Sequence, residues 1–400
     1  MIPFSPPRID EAIIDEVVDT LKSGWITTGP KTKRFEKEIS NYLNVSNTIC
    51  VNSATAGMEL MLRWFGVGEG DEVILPAYTY CATANVVMHC GARPVMIDSD
   101  EDFNITAKTI EKHLTERTKV IMPVDIGGFP VDLMPIMELV KRQSALFKPK
   151  TNEQQQLGRV LVLSDAAHAF GASYEGKKVG SLADISVYSF HAVKNLSTAE
   201  GGAVAINLPP PFNCEAIYKD LCVSVLHGQS KDAMSKLKPG SWRYDVVEPG
   251  YKCNMTDIQA AIGLVELARY EQETLPKRKA LSERYHQAFS EEPWYIAPPL
   301  KTQQSESSYH LFMLRINGID ETLRDQIITE ISEQEVAVNV HFQPLPMLSV
   351  YKNLGYQITD FPQAYKHYAT EISLPLFYDL TNEQQDWVID CVKKAINKRC

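Results

Sequence analysis

The chain has 400 residues, of which 44% are hydrophobic and 22% are charged, and its formal net charge is −10. This length predicts one large and one smaller α/β lobe. The acidic balance argues against general nucleic-acid binding, which requires a basic face. Because the N-terminus has no basic start and no apolar run reaches the ~18 residues of a spanning helix, we expect neither a signal peptide nor a membrane span. Eight cysteines without framework spacing indicate reduced thiols and a cytoplasmic location.

Short apolar runs alternate with helical patterns through the first half of the chain. These runs predict buried strands at 48–53, 71–76, 93–98, 119–125, 159–165 and 201–207. Between the first two, an amphipathic helix is predicted by apolar residues at i, i+3, i+4 and i+7, namely Met58, Met61, Leu62 and Phe65. This alternation predicts a mainly parallel sheet with helices on both faces, in which ligands bind beyond the carboxyl ends of the strands.

The later chain has a different pattern. A long helix and two strand-like runs follow one another at 254–289, 308–316 and 336–342. A capping-box pattern at Thr381–Gln384 opens a last helix. We therefore predict a large domain at 1–250 and a smaller α+β domain at 251–400, with a polar surface insertion at 145–158.

Two groups of candidate residues follow the first predicted strands. Ser53, Ala54 and Thr55 end one strand and open a helix. Small hydroxyl residues at this position either cap the helix or, with its free N–H groups, bind phosphate. Tyr80 follows the second strand, where an aromatic ring either stacks on a flat heterocycle or is simply buried.

Asp165 directly follows a predicted buried strand, where a charge is costly without a partner. It could cap the next helix, pair with an arginine or face a protonated ring nitrogen. His168 lies three residues further along, on the same helical face. No metal site is predicted for this pair, because two further ligands have no obvious source.

Lys194 lies in the constrained stretch "SFHAVKNLSTAEGG". It is either a surface lysine or, with its pKa lowered by burial, a nucleophile for an aldehyde. Ser189 adds a polar group nearby, and Gly201 and Gly202 allow a backbone to come close. Together the four strand ends supply what pyridoxal 5'-phosphate requires: a lysine, a carboxylate for the ring nitrogen, phosphate donors and a flat covering group.

The chain resembles the DegT/DnrJ/EryC1/StrS family of pyridoxal-phosphate-dependent nucleotide-sugar aminotransferases over nearly its whole length. The resemblance rests on an ordered series of motifs, "GDEVILPAYTYCATANVV", "SDAAHAFGASYEGKKVGS", "ADISVYSFHAVKNLSTAEGG" and "GYKCNMTDIQAAIGLVEL". It implies fold type I of the pyridoxal-phosphate-dependent transferases, the fold of aspartate aminotransferase.

The resemblance also implies residue roles. Lys194 matches the lysine that binds the cofactor aldehyde and then moves the proton, and Asp165 matches the partner of the pyridine nitrogen. His168 is expected beside the phenolic oxygen, and Tyr80 over the ring. The phosphate is expected at Ser53, Ala54, Thr55, Ser189 and Asn254. The substrate is expected near Thr27, Thr28, Gly29, Lys252 and His341.

For substrates and assembly, the resemblance implies a nucleotide-linked keto-sugar as amino acceptor, L-glutamate as donor and 2-oxoglutarate as product, in a ping-pong reaction. The branch with "GYKCNM" favours a 4-keto-6-deoxy sugar and a polysaccharide or glycan pathway. A homodimer is implied, with active sites at the subunit interface. Either Lys252 or Asn254 is the expected contact across that interface.

The sequence departs from the family pattern at three places. Ser53-Ala54-Thr55 stands for the common Ser-Gly-Thr, and Lys252-Cys253-Asn254 for Asn-Tyr-Arg. Asp125 replaces a histidine that many members carry, which could alter the substrate side. Lys31, Lys33 and Arg34 either meet a substrate pyrophosphate or form a solvated helix start.

Two other functions remain open at this stage. Some family members are keto-sugar 3-dehydratases in which a histidine replaces the lysine, and Lys194 argues against that activity. A non-catalytic regulatory or binding protein would not need Lys194 and Asp165 to be intact. A dinucleotide-binding fold lacks support, because no GxGxxG follows a predicted strand.

Overall fold

The computed structural model describes residues 1–230 and 242–399. Its helices are α1 Glu11–Ser23, α2 Pro30–Leu43, α3 Ala54–Trp64, α4 Ala82–His89, α5 Ala107–Glu111, α6 Leu133–Arg142, α7 Asn152–Leu157, α8 Cys214–Ser224, α9 Asp257–Arg269, α10 Leu275–Phe289, α11 Glu321–Glu333, α12 Ser349–Lys352, α13 Pro362–Thr370 and α14 Asn382–Asn397. Its strands are β1 Asn47–Val51, β2 Glu72–Pro76, β3 Arg93–Ile97, β4 Thr118–Ile121, β5 Leu161–Asp165, β6 Ser173–Tyr174, β7 Lys177–Lys178, β8 Ile185–Ser189, β9 Gly202–Ile206, β10 Tyr295–Ile296, β11 Ser305–Glu306, β12 Phe312–Ile316 and β13 Glu371–Leu374.

A seven-stranded sheet in the order β1-β9-β8-β5-β4-β2-β3 forms the centre of the molecule. The strands from β8 to β3 pair in parallel, whereas β9 runs antiparallel to both of its neighbours. The predicted mainly parallel sheet is therefore confirmed. β8 was not predicted, because Asp184 directly precedes it and Ser186 interrupts its apolar pattern, although both are buried in the structure.

Side-chain caps define the N-termini of several helices. Ser53 caps α3, since its Oγ accepts a hydrogen bond from Ala56 N at 3.1 Å. At α14 the predicted capping box is present: Thr381 Oγ1 accepts from Gln384 N, and Gln384 Oε1 accepts from Thr381 N. These caps satisfy N–H groups that have no partner inside the helix.

The later chain builds a three-stranded antiparallel sheet, β10-β12-β13, over a separate apolar core. That core contains Ile2 and buried residues from Leu281 to Ile396, while α9 packs against α1 and α2 of the N-terminal region. The division at 250/251 remains a prediction from the sequence.

The predicted strand at 336–342 is wrong. This segment makes only isolated bridges, from Val336 to Ile2 and from Asn339 to Ser373. The backbone N–H of His341 is instead taken by a carboxylate, that of Glu371, at 2.9 Å. A side chain thus replaces the neighbouring strand as hydrogen-bond partner, which ends the ladder. The run at 308–316 forms a strand only from Phe312 onward.

Residues 145–158 lie mostly at the surface, as predicted, but two of their side chains are buried. Phe147 and Gln154 are buried in this segment. Gln154 Nε2 donates to Phe65 O at 2.9 Å, which fixes α7 against the end of α3. The polar composition of the segment concealed these two anchors.

Across the described residues, none of the helices has both the length and the apolar character needed to cross a lipid bilayer.

Candidate active site

A cavity of about 480 Å³ opens at the carboxyl ends of the central strands. This volume lies in the usual range for small-molecule and cofactor sites. The structure brings to its walls nine of the residues predicted from sequence, namely Ser53, Ala54, Thr55, Tyr80, Asp165, His168, Ser189, Lys194 and His341. They come from loops far apart in the chain, because parallel strands present their carboxyl ends at one edge of the sheet.

One end of the cavity is the N-terminus of α3. Ser53, Ala54 and Thr55 line it there, and Ser189 faces them from the end of β8. The free N–H groups and positive dipole end of a helix favour an anion such as phosphate. Both sequence interpretations of this turn are therefore compatible, since Ser53 caps the helix while the same turn faces the cavity.

Gly202, at the start of β9, allows this turn to lie against the sheet. A Cβ at this position would be 2.5 Å from Ala54 N and 2.8 Å from Tyr188 O. Both contacts are with backbone atoms, which cannot move aside cheaply. Gly201 is equally confined, since a Cβ there would be 2.2 Å from Thr198 Oγ1. The glycine pair thus permits the close approach that the sequence predicted.

Asp165 lies buried at the carboxyl end of β5. Thr83 Oγ1 donates to its Oδ2 at 2.8 Å, and Ala167 N donates to its Oδ1 at 3.3 Å. Burial raises the pKa of this carboxyl, against the opposing effect of these two hydrogen bonds and of the charge on Lys194. Within the described residues its side chain has these hydrogen bonds but no salt bridge. A protonated ring nitrogen in the cavity would supply the missing cation.

Lys194 lines the same cavity as Asp165. It lies in a turn where its backbone N–H donates to His191 O at 2.8 Å. Burial lowers the pKa of its amine to about 8, although the Asp165 carboxylate acts in the other direction. The surface interpretation of this lysine is therefore disfavoured. A lysine with a lowered pKa beside a cavity can act as a nucleophile at neutral pH.

We expect covalent attachment of pyridoxal phosphate to Lys194 to accelerate as the pH rises to about 8 and then to level off. The reason is that the neutral amine is the nucleophile, and a lowered pKa makes it available at lower pH. The measurement is the rate at which the visible Schiff-base absorbance appears after the cofactor is added to cofactor-free protein. The exposed-lysine variant Lys177→Ala should give the same profile. A midpoint near 10.5, the ordinary lysine value, would contradict the prediction.

His168 is buried on the wall next to Lys194. Burial keeps its pKa well below the ordinary value, so the ring is neutral. Its Nδ1 accepts a hydrogen bond from Gly127 N at 3.2 Å, which assigns the proton to Nε2. His168 can therefore donate a hydrogen bond, as the expected position beside a phenolic oxygen requires.

The cavity also contains residues that were not predicted. His310 lies just before β12, with its ring centroid 4.4 Å from that of His168, and Asn195 Oδ1 lies 2.9 Å from its Nδ1. Phe342 lines the cavity 5.9 Å from the ring centroid of Tyr80. In the sequence, His310 and Phe342 belong to strand-like runs. Nothing in those runs indicates that the two side chains face this cavity.

The other predicted residues do not line the cavity of the same chain. Thr27, Thr28, Gly29, Lys252 and Asn254 form a separate cluster. Asn254 Nδ2 donates to Thr28 Oγ1 at 2.7 Å, and Lys252 Nζ donates to Asn254 Oδ1. Gly29 N donates to Asp257 Oδ1 at 2.8 Å. Their roles remain predictions.

The basic cluster at the start of α2 has its charges matched within the chain. Its three members pair with carboxylates as Lys31–Glu16, Lys31–Asp19, Lys33–Glu36 and Arg34–Glu38. This pairing favours the solvated helix start over contact with a pyrophosphate.

Asp125, which replaces a histidine common in the family, is fully buried outside the cavity lining. Its Oδ1 accepts from Val131 N at 2.9 Å and its Oδ2 from Ser164 Oγ at 3.1 Å. It therefore fixes the loop after β4 and does not contact the substrate side. Elsewhere in the described parts of the chain, no group of three His, Cys, Asp or Glu side chains is arranged to hold a metal ion.

The chain is similar to known proteins over nearly its whole length. A model of the DegT/DnrJ/EryC1/StrS aminotransferase family matches residues 7–393. The chain is 39% identical over 402 residues to an uncharacterized protein of Methanocaldococcus jannaschii, covering 99% of this chain and 98% of that protein. It is 35% identical over 403 residues to the spore coat polysaccharide biosynthesis protein SpsC of Bacillus subtilis, covering 99% and 97%.

Solved structures are similar over the same length. Spr1654 of Streptococcus pneumoniae, described as a candidate sugar aminotransferase, matches in its PMP form with a TM-score of 0.96 and 46% identity, covering 100% of both chains. PseC of Helicobacter pylori, an aminotransferase involved in the biosynthesis of pseudoaminic acid, matches with a TM-score of 0.87 and 28% identity, covering 99% of both chains.

Proposed function

Since this chain belongs to the DegT/DnrJ/EryC1/StrS aminotransferase family, we propose that it moves the amino group of L-glutamate to a nucleotide-linked keto-sugar. The chain is a pyridoxal-phosphate-dependent sugar aminotransferase of fold type I. The observation that carries the proposal is that Lys194 and Asp165 line one cavity with a helix N-terminus at its end.

The residues present fit the cofactor. When bound, pyridoxal phosphate supplies an aldehyde for an amine and a ring that accepts the electron pair of a broken C–H bond. The N-terminus of α3 would hold the phosphate, with Ser53, Thr55 and Ser189 supplying hydroxyl groups around it. Asp165, which has no salt-bridge partner among the described residues, would pair with the protonated ring nitrogen.

The chain's own groups then carry out the proton chemistry. Lys194 Nζ, with its lowered pKa, would take the proton from the substrate carbon and pass it to the cofactor carbon bonded to the substrate's nitrogen. Asp165 would keep the ring nitrogen protonated. His168 Nε2–H would donate to the phenolic oxygen, and Tyr80 would cover the ring and exclude water from one face.

A 4-keto-6-deoxy sugar is the acceptor that we propose. The sequence branch with "GYKCNM" supports this choice. The names of two similar proteins, a spore coat polysaccharide biosynthesis protein and an aminotransferase of pseudoaminic acid biosynthesis, support a role in polysaccharide or glycan synthesis. The cytoplasmic location remains a prediction from the sequence.

The two alternatives are less well supported. In the related 3-dehydratases a histidine takes the place of the lysine, whereas Lys194 lines this cavity with a lowered pKa. A non-catalytic protein would have no need for a buried carboxylate and a lysine of lowered pKa on the wall of one cavity. Asp165 and Lys194 form this combination.

The decisive experiment is an amination assay with L-glutamate over a panel of UDP-, dTDP- and GDP-linked 3-keto and 4-keto sugars. Mass spectrometry and NMR identify the product. We expect amination at C4 of a 6-deoxy sugar and release of 2-oxoglutarate. Loss of a hydroxyl group without amination would support the dehydratase. If protein that carries the cofactor aminates none of these sugars, the proposal is refuted.

We also propose that the active protein is a homodimer. An apolar stripe on α1, formed by Ile14, Val18 and Leu21 at i, i+4 and i+7, is exposed in the single chain. Trp242 and Val247 are exposed as well. A second copy would cover such surfaces and could receive the Lys252–Asn254 cluster in its cavity.

Subunit mixing tests this arrangement. Lys194→Ala and Asn254→Ala proteins are each expected to have little activity, and mixed dimers are expected to recover part of it. One site of a mixed dimer combines an intact Lys194 with an intact Asn254 from the other subunit. A mixture of Lys194→Ala and Asp165→Asn is the control, because both residues belong to one subunit's site and no recovery is expected. Failure of the first mixture to recover activity would contradict the cross-subunit role.

A further inference from the structure

His341 is held on three sides at the cavity wall. Its ring nitrogen Nδ1 lies 2.9 Å from Ser373 Oγ, and its backbone N donates to Glu371 Oε2 at 2.9 Å. Tyr78 Oη donates to its carbonyl oxygen. Since Nδ1 is engaged, Nε2 is the ring nitrogen that can serve a ligand in the cavity.

Glu371 is the end of this chain of contacts. It is fully buried at the start of β13, and Ser373 Oγ donates to its Oε1. Its Oε2 is already used by His341 N, so a proton on this carboxyl has its place on Oε1, toward Ser373. Burial raises the pKa of Glu371 to about 8.

The charged groups around Glu371 do not neutralise it. Arg324 and Arg315 approach it and oppose the rise in its pKa. Arg324, however, donates to the backbone carbonyls of Tyr368 and Glu371 and pairs with Asp325, and Arg315 donates to Glu101 O. Tyr78, the other titratable group nearby, has its pKa raised well above the ordinary value and stays neutral.

We propose that Glu371 and Ser373 are positioning residues that decide, through the tautomer of His341, whether the ring presents an N–H donor or a bare nitrogen to the cavity. Ser373 Oγ lies between His341 Nδ1 and Glu371 Oε1, and this order determines the directions of the hydrogen bonds. A hydroxyl has only one proton to donate, so Ser373 can donate to Glu371 or to His341 but not to both.

With Glu371 protonated, its O–H donates to Ser373 Oγ, and Ser373 donates to His341 Nδ1. The ring proton is then on Nε2 and faces the cavity. With Glu371 ionised, Ser373 donates to the carboxylate and accepts from Nδ1–H, so Nε2 is bare. One proton leaves Glu371 for solvent, and the ring proton moves from Nε2 to Nδ1 through water. His341 itself stays neutral, because burial lowers its pKa to about 4.

The consequence for the substrate rests on the proposed function. A keto oxygen can only accept a hydrogen bond, so it requires the Nε2–H form of His341. That form prevails at neutral pH, below the Glu371 pKa of about 8. The relay therefore favours binding of the keto-sugar at neutral pH and weakens it in alkaline solution.

The tautomer can be observed without any substrate. We expect NMR of the holoenzyme, labelled with nitrogen isotopes at histidine, to show His341 changing from Nε2–H to Nδ1–H as the pH rises through about 8. A His341→Gln spectrum identifies the resonance. If the His341 tautomer does not change across about two pH units on either side of that value, the proposal is overturned.

Two variants test the relay itself. In Glu371→Gln the amide oxygen can accept from His341 N while its NH₂ donates to Ser373 Oγ, which reproduces the protonated state. His341 should then stay Nε2–H at every pH. In Ser373→Ala the connection is cut, and the tautomer should no longer follow Glu371. A switch that persists in both variants would overturn the proposal.

Kinetics give the second readout, with the keto-sugar that the panel identifies. In the wild type we expect KM for the sugar to rise about tenfold when the pH is raised above about 8, because one neutral hydrogen bond to the substrate is lost. Glu371→Gln should keep the low KM. Because Lys194 titrates in the same range, only the difference between wild type and variant is diagnostic.

The matched control is Glu266→Gln, another buried glutamate with a raised pKa, which pairs with Arg269 in α9 away from the cavity. It should leave the wild-type switch and the rise in KM unchanged. A tautomer switch in a protein that aminates no keto-sugar would retain the relay and refute the proposed function instead. If the His341 tautomer switches but KM does not differ between wild type and Glu371→Gln, the proposed effect of the tautomer on keto-sugar binding is overturned.

Discussion

Lys194→Ala is expected to lower amination at least about 10⁴-fold, the upper range for a positioned acid–base group, and to abolish covalent cofactor attachment at the same time. The amine at this position is the only described lysine nitrogen on the cavity wall, and burial lowers its pKa to about 8. No neighbouring group can replace it as both nucleophile and proton carrier. Turnover and visible absorbance, with and without borohydride, measure the two losses.

Two variants separate chemistry from folding. Lys177→Ala removes an exposed lysine and should keep both properties of the wild type. Lys194→Arg keeps the positive charge but cannot form the Schiff base, because an arginine stays protonated. It should therefore be as inactive as the alanine variant. A Lys194→Ala protein that still aminated a sugar would refute the assignment.

Asp165→Asn is expected to lower turnover about 10³-fold while the cofactor still binds to Lys194. The amide has no charge with which to hold a proton on the ring nitrogen, so the ring accepts electrons less readily. Thr83 Oγ1, which donates to Oδ2 at 2.8 Å, can donate equally to the amide oxygen and hold the side chain in place, while the longer bond from Ala167 N to Oδ1 at 3.3 Å is lost. The loss should appear in kcat more than in KM.

The control for this variant is Asp125→Asn. Asp125 is also buried at a strand end and has its pKa raised, to about 7, but it lies outside the cavity lining. Its backbone N donates to Asp165 O at 3.3 Å, a bond that the substitution leaves in place. The replacement removes a buried carboxyl of the same kind that does not line the cavity, so turnover should stay within about threefold of wild type. Equal losses in both variants would show that burial, and not the ring nitrogen, explains the effect of Asp165.

The Asp165→Asn variant also tests the electrostatic interaction between Asp165 and Lys194. Asp165 acts on Lys194 through its charge, which opposes the lowering of the lysine pKa. Without that charge, the pKa of Lys194 should fall further. The pH dependence of cofactor attachment should then shift to lower pH in Asp165→Asn.

Much of the central sheet and of the cofactor site could be predicted from the sequence. Buried parallel strands read as continuous apolar runs, so β1, β2, β3, β5 and β9 were located to within a few residues. Polar residues that end such runs are costly unless they have a task, and this identified Ser53 and Asp165. Their meeting in one cavity followed from the sheet, since parallel strands share an edge.

The rest depended on contacts between distant parts of the chain. His341, Ser373 and Glu371 come together although His341 is about 30 residues from the other two, and β8 is buried despite its polar residues. Local periodicity reports which face of an element is apolar, but it contains no information on hydrogen-bond partners from other elements. The sequence by itself therefore determined the family, the cofactor and the central lysine. Only the tertiary structure decided that a buried carboxyl lies behind His341, because that contact exists only once β13 and the segment before α12 are packed together.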